Sequence, residues 1–271
     1  RDGSLRRTPA AALRTHVRSY EAYDQVHHAP VRDIHLPSGD VPLIIGFGDP
    51  LVSLPPEDPS DLGRAHQTFV AGLYESSSAT DSGLIAHGIQ VNFTPVGAYQ
   101  FLGLPMHELT NRVVELEDVM GAEAPRLVAS LIGAATAQAR FDMLDAMIAR
   151  RLAQSVPASE GVAWAWRQLE TTHGRTAISR LTSDLGWSRK QTVARFREQV
   201  GLPPKTLARI LRFQHAVRLT ERSDEGRWAQ VALQAGYYDQ AHLIRDFRAF
   251  AQSTPGAYVA RRRAERAAGR G

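Results

Sequence analysis

The chain of 271 residues has no cysteine, and only two of its 32 basic residues are lysine. The absence of cysteine removes disulfides, thiolate metal sites and cysteine nucleophiles together, and fits a reducing, cytoplasmic compartment. No apolar run approaches the roughly 18 residues that a membrane span needs. Residues 1–14 hold no apolar segment of the secretory type, so no signal peptide is expected there. No glycine-rich loop of the Walker kind and no Gly-x-Ser-x-Gly elbow occurs, which argues against nucleotide hydrolysis and the usual serine-hydrolase layout.

What is present is a strong charge asymmetry. Residues 1–153 carry 12 Lys/Arg and 18 Asp/Glu, a net of −6, whereas residues 154–271 carry 20 and 10, a net of +10. A basic half joined to an acidic half implies that only one half meets a polyanion. The length allows two domains, each with its own core.

The expected fold class is α+β in two domains. Residues 1–19 read as a flexible basic leader. Residues 20–153 open with short strands: 41–47 form an apolar β-type run before Gly48-Asp49-Pro50, 69–74 form another, and Ile89, Val91 and Phe93 alternate with Gln90 and Asn92. Pro55-Pro56-Glu57-Asp58-Pro59 is a loop. Frequent glycine and proline between such strands predict a small antiparallel barrel. Two helices follow within 124–152. Leu127, Val128, Leu131 and Ile132 share one face of the first. The apolar stripe of the second, Phe141, Leu144, Met147, Ile148 and Leu152, either covers the barrel or pairs with a second chain, and Phe141, Leu144, Ile148 and Leu152 are the candidate dimer contacts. Residues 154–160 form a polar linker, residues 161–263 an all-α domain, and 264–271 a basic tail.

The most informative pattern lies in that helical domain. Gly186-Trp187-Ser188 precedes Phe196-Arg197 and Gly201-Leu202-Pro203-Pro204, and Gly236-Tyr237-Tyr238 precedes Phe247-Arg248 and Ser253-Thr254-Pro255. Each unit reads as helix, glycine turn, capped basic helix and proline stop. In the first unit Ser188 is the cap, and Arg189, Lys190, Gln191, Ala194 and Arg197 lie outside. In the second, Trp228, Val231 and Leu233 line the support helix and Asp239 is the cap. Gln240, Ala241, Ile244, Arg245 and Arg248 are presented outward. A helix from Pro204 to Arg222 spaces the two units. A partner that accepts a helix once per turn is double-stranded DNA, which requires the units to sit about 34 Å apart.

On these residues the segment 160–263 resembles the DNA-binding domain of AraC/XylS transcriptional regulators. The stretch Gly236-Tyr-Tyr-Asp-Gln-Ala-His-Leu-Ile-Arg-Asp-Phe-Arg, with Ser253-Thr-Pro255 and Tyr258, carries the likeness. The resemblance implies that residues 20–152 form a cupin-like sensing or dimerising barrel. It also implies double-stranded DNA and RNA polymerase as partners, a possible small-molecule effector in the barrel and a possible homodimer, and no cofactor. Carried over by position, Lys190, Val193 and Ala194 fall at base-contacting places of the first unit, with Arg189 and Gln191 alongside. Gln240, Ala241, Ile244 and Arg245 do so in the second. Arg197 and Arg248 face phosphates or acidic partners. Four positions depart from the pattern: Thr192 for a buried leucine, Ala194 for arginine, Thr182 for a small alanine, and Gln252 for the turn glycine that Gly201 supplies in the first unit. The second unit is therefore expected to carry more of the specificity.

Two alternatives belong beside this reading. A cupin-like metal enzyme fused to a DNA-targeting domain needs clustered ligands, commonly His-x-His with a nearby glutamate, and His16, His27, His28, His35, His66, His87 and His107 contain no such motif. They read instead as surface or satisfied core residues, or as hydrogen-bonding partners of a ligand. No catalytic or metal residues are therefore expected. A regulator controlled by a protein partner, without a small-molecule effector, is the other. Tyr20, Tyr23, Phe47, Tyr74, Phe93 and Tyr99 are aromatic candidates for core or pocket, while Trp164 and Trp166 are expected to pack the first helix of the DNA-binding half.

Overall fold

A computed structural model describes residues 3–54, 63–221 and 227–268. The loop expected over residues 55–59 and the helix end expected at Arg222 lie outside them. The strands are β1 (Gly3–Arg7), β2 (Val17–Val26), β3 (Val31–His35), β4 (Val41–Gly46), β5 (Leu51–Leu54), β6 (Arg64–His66), β7 (Thr68–Ala71), β8 (Ser78–Ser82), β9 (Ile85–Phe93) and β10 (Val113–Glu115). They form two antiparallel sheets, of order β1-β2-β9-β4-β7-β10 and β3-β8-β5-β6.

Strand β9 shows how the sheets are used. Ile89, Val91 and Phe93 are buried in the core, while Gln90 and Asn92, of opposite parity, line a cavity of about 1280 Å³ whose walls draw on strands of both sheets. The period-two pattern thus separates a core face from a cavity face. Pro42 is tolerated within β4 because pairing with β7 begins only at Leu43, so its missing N–H breaks no bond on that side.

The helices of the first half are α1 (Pro95–Leu102), α2 (Leu116–Met120), α3 (Glu123–Gly133) and α4 (Ala137–Gln154). The α4 stripe is spent within the chain. Phe141, Leu144 and Ile148 are fully buried, Leu152 nearly so, and Phe141 stacks on Tyr20 at 5.6 Å. These four side chains are therefore core residues and not dimer contacts. Each such burial contributes about 1.5–3 kcal/mol. On α3, Leu127 and Leu131 are buried, but Ile132, expected on the same face, is exposed.

The flexible leader expected over 1–19 is also overturned. β1 pairs with β2 from Gly3↔Asp24 to Arg7↔Tyr20, and Leu13 and Val17 are buried. Arg7 bridges Asp142 and Asp145 on α4. Ladder bonds and these ion pairs hold the strand, and neither leaves a hydrophobic pattern in the sequence.

The second half contains α5 (Glu160–Thr171), α6 (Ile178–Asp184), α7 (Arg189–Gln199), α8 (Pro204–Thr220), α9 (Trp228–Ala235), α10 (Gln240–Ala251) and α11 (Pro255–Ala268). Because α11 runs to Ala268, most of the expected tail from 264 is helix, and residues 269–271 lie outside the described ones. Residues 155–159 join α4 to α5, with the Ser159 amide donating to Gln199 Oε1 at 2.8 Å. In place of two separate cores, one hydrophobic cluster runs from the sheets through α4 and α5 to α10. Trp166 does not serve only the helical half: the Arg18 guanidinium of β2 lies over its ring, and Arg18 bridges Asp40 and Glu170.

Candidate nucleic-acid interface

The two repeated units fold by the same local chemistry. At the end of α6, Gly186 takes φ +63° and the Trp187 amide reaches back to the Thr182 carbonyl at 3.0 Å. At the end of α9, Gly236 takes φ +84° and the Tyr237 amide reaches the Ala232 carbonyl at 2.9 Å. Both are left-handed glycine caps closed by a six-to-one hydrogen bond, which uses carbonyls that the helix end leaves unpaired.

Each following helix then starts on a side-chain cap. The Gln191 amide donates to Ser188 Oγ at 3.2 Å, and the Ser188 amide donates back to Gln191 Oε1 at 2.9 Å, a complete capping box. The His242 amide donates to Asp239 Oδ1 at 2.7 Å. One residue separates Gly186 from its cap and two separate Gly236 from its own, which explains why the glycines lie 50 positions apart and Phe196 and Phe247 lie 51. The additional residue is Tyr238, 93% exposed.

The inner faces are conventional core. Phe196 and Val200 anchor α7, while Leu243, Phe247 and Phe250 anchor α10 against Phe213 of α8, with ring centroids 5.1 and 5.0 Å apart for the two phenylalanines. Thr192 is buried at the place of a leucine, and its hydroxyl is satisfied by the Ser188 carbonyl at 3.0 Å. In the support helix α9, Val231 and Ala232 are buried but Leu233 is 75% exposed; it points away from the core expected for it.

The outer faces carry the predicted residues. Ser188, Arg189, Lys190, Gln191, Ala194 and Arg197 are exposed on α7 or its cap, with Val193 half-buried beside them. Asp239, Gln240, Ala241, Arg245 and Arg248 are exposed on α10 or its cap, with Ile244 half-buried. Arg189, Lys190, Val193, Ala194 and Arg197 come together around an open groove of about 880 Å³. Gln191 is partly committed, since its side-chain oxygen serves the capping box while its amide nitrogen stays available.

Sequence reasoning missed two neighbours. His107, on the turn Met106–Glu108 of the N-terminal half, closes one side of the α7 groove. Thr110 Oγ1 donates to the Gly201 carbonyl, just past α7, at 2.9 Å. Nothing in the chain pattern relates residues 107 and 110 to a helix some eighty positions later.

The N-terminal cavity is the second concave feature. Arg18, Tyr23, Ser53, Arg64, His66 and Tyr74 are among its walls. Burial pushes the Asp40 carboxyl upward, while the adjacent Arg18 guanidinium opposes that shift. Among the described residues no group of three His, Asp or Glu could hold a metal ion, and no helix is long and apolar enough to cross a membrane.

Comparison with known proteins bears on both halves. Residues 181–263 match the family described as Helix-turn-helix domain, and residues 5–115 match a Domain of unknown function (DUF6597). No curated protein sequence matches the chain. Among solved structures, the chain is similar to ToxT from Vibrio cholerae O395, with 10% identity over 89% of this chain and 96% of that one at a TM-score of 0.44. It is also similar to unsaturated fatty acid bound wild-type ToxT from Vibrio cholerae strain SCE256, with 12% identity over 87% and 96% at a TM-score of 0.41.

Proposed function

We propose that this chain, which carries a helix-turn-helix domain of AraC type behind a strand-rich N-terminal domain, is a sequence-specific, DNA-binding transcription regulator of the AraC/XylS kind. The observation that carries the reading is the pair of capped helices, α7 and α10, whose outward cations Arg189, Lys190, Arg197, Arg245 and Arg248 make no ion pair among the described residues. Free guanidinium and ammonium groups on a helix flank suit phosphate and guanine. Gln240 reads adenine and Arg245 guanine in this proposal, while Arg197 and Arg248 hold phosphate. Ser188 and Asp239 set the two helix starts. RNA polymerase is the protein partner expected from the resemblance.

The cavity between the sheets is proposed as the effector site, because it is large enough for a metabolite and mixes polar with apolar walls. A ligand of the folded cavity must raise thermal stability, so a metabolite screen by thermal shift tests that part. The DNA reading is tested by fluorescence anisotropy on a site recovered by in vitro selection. Arg245→Ala should weaken binding by about 1–3 kcal/mol and relax preference at one base pair, whereas Arg248→Ala should weaken all sequences alike and lower the salt slope by about one. Affinity that does not fall with salt would overturn the reading.

A further inference from the structure

Two side chains on the wall of the N-terminal cavity, Ser53 and His66, and a third behind them, Glu115, form a chain of contacts that DNA binding does not use. His66 Nδ1 lies 2.6 Å from Glu115 Oε1, and His66 Nε2 lies 2.9 Å from Ser53 Oγ. They come from β5, β6 and the end of β10, so the fold brings them together from positions 13 and 49 residues apart. The His66 ring is buried and packs against Phe69 in a tilted arrangement, with centroids 5.3 Å apart. Ser53 and His66 both line the cavity.

The hydrogen-bond directions are decided by chemistry. A carboxylate only accepts, so the short contact to Glu115 places the neutral ring's proton on Nδ1. With the ring neutral, Nε2 is then an acceptor 2.9 Å from the Ser53 hydroxyl, which also lies 3.4 Å from the Arg64 carbonyl, and donation to the ring is the shorter of its two options. In that tautomer His66 can take a proton from Ser53, with Glu115 behind the ring and Ser53 and His66 on the cavity wall. Ser53 lies in strand β5 and not in the strained turn of hydrolase elbows, so it carries no Gly-x-Ser-x-Gly signature.

We infer that Ser53, His66 and Glu115 form an acyl-transfer centre within the cavity, acting on a small carboxylic ester. Ser53 Oγ bonds to the acyl carbon as its proton passes to His66 Nε2. The ester C–O bond breaks, and the imidazolium returns that proton to the leaving alkoxide. Water attacks the acyl-serine by the reverse route, releasing the carboxylic acid and restoring Ser53. Glu115 is a positioning residue that holds the ring in its tautomer. Arg64 pairs directly across from Ser53, lines the same cavity and makes no ion pair among the described residues, and it is the cation assigned to the developing oxyanion in this inference.

The inference uses the proposed effector cavity only in requiring that small molecules reach it. The test is fluorophosphonate labelling of the full chain, read by intact and peptide mass spectrometry, together with hydrolysis of p-nitrophenyl acetate. One phosphonyl group per chain on Ser53 is expected, and Ser53→Ala should abolish both labelling and the esterase rate. His66→Gln should slow labelling by about 10²-fold or more. Glu115→Gln should lower the maximal labelling rate while leaving probe affinity unchanged, a split that a purely structural role would not produce. Ser53→Ala keeps the His66–Glu115 contact and so guards against misfolding as the cause. An unmodified Ser53 in folded protein, or an esterase rate equal in wild type and Ser53→Ala, would overturn the assignment. Thermal stabilisation by a metabolite without Ser53 modification would sink this inference and leave the effector site standing.

Discussion

The two helix-turn-helix units share a buried phenylalanine, a glycine turn with the same six-to-one bond, and a side-chain cap, yet they are tied to different parts of the molecule. The first touches the N-terminal half through His107 at its groove and through the Thr110–Gly201 hydrogen bond. The second is tied to α8, through ring contacts to Phe213 and through an ion pair of Arg209 with Asp246 at 2.8 Å. The repeat thus fixes local geometry while neighbours decide use. The N-terminal half meets the first unit directly and also reaches α8, where the Gly39 amide donates to Gln214 Oε1 at 3.3 Å.

The largest effect should show what the units hold in common. Phe196→Ala and Phe247→Ala each empty a fully buried aromatic site, and each should cost about 3–5 kcal/mol in urea unfolding. Nearly equal losses would support equivalent cores. A loss below about 1 kcal/mol for either would break the equivalence.

The next effect separates the units. Asp246 is only 2% exposed and sits on α10, and Arg209 is its ion-pair partner. Arg209→Ala strands a buried carboxylate, for which about 3–5 kcal/mol is typical, but the half-exposed Arg209 marks a site that water can enter, so about 2 kcal/mol is expected. Hydrogen exchange should show α10 opening more readily, with α7 unchanged. Equal loosening of both helices would mean that the pair holds the whole domain and not one unit.

Caps come third. Ser188→Ala removes one half of a reciprocal box and should cost about 1–2 kcal/mol, while Asp239→Ala removes a single bond and should cost about 1 kcal/mol. The reverse order, measured by thermal unfolding, would mean that the box adds nothing beyond one cap.

These local features were legible in the sequence because their causes lie within a few residues. Glycine at 186 and 236, Ser188 and Asp239 at caps, and the alternation of β9 each depend on near neighbours. The first strand was not legible: its ladder partners and the acids that bind Arg7 lie far along the chain, and the basic composition of residues 1–19 pointed to a free leader. The α4 stripe could be read as an apolar face, but periodicity does not say whether the face covers its own sheet or another chain. The cavity face of the sheets is polar and mixed, so Ser53, His66 and Glu115 carried no pattern; only the fold joins them. The same limit hid His107 beside α7.

The smallest effect tests the one place where the repeat's turn chemistry is broken. Gly201 follows α7 at φ +101°, and Gln252 ends α10 at φ +51°, in the left-handed region where a side chain meets its own backbone. Gln252→Gly should therefore relieve a cost of about 1–2 kcal/mol, partly offset by the greater freedom of glycine in the unfolded chain, for a net gain of roughly 0.5–1 kcal/mol. The gain should appear as a raised unfolding midpoint with unchanged DNA affinity, since Gln252 lies beyond the base-reading residues proposed for α10. If stability rises but affinity falls, the strained residue sets the angle at which α10 meets its partner, and the two units differ by function as well as by attachment.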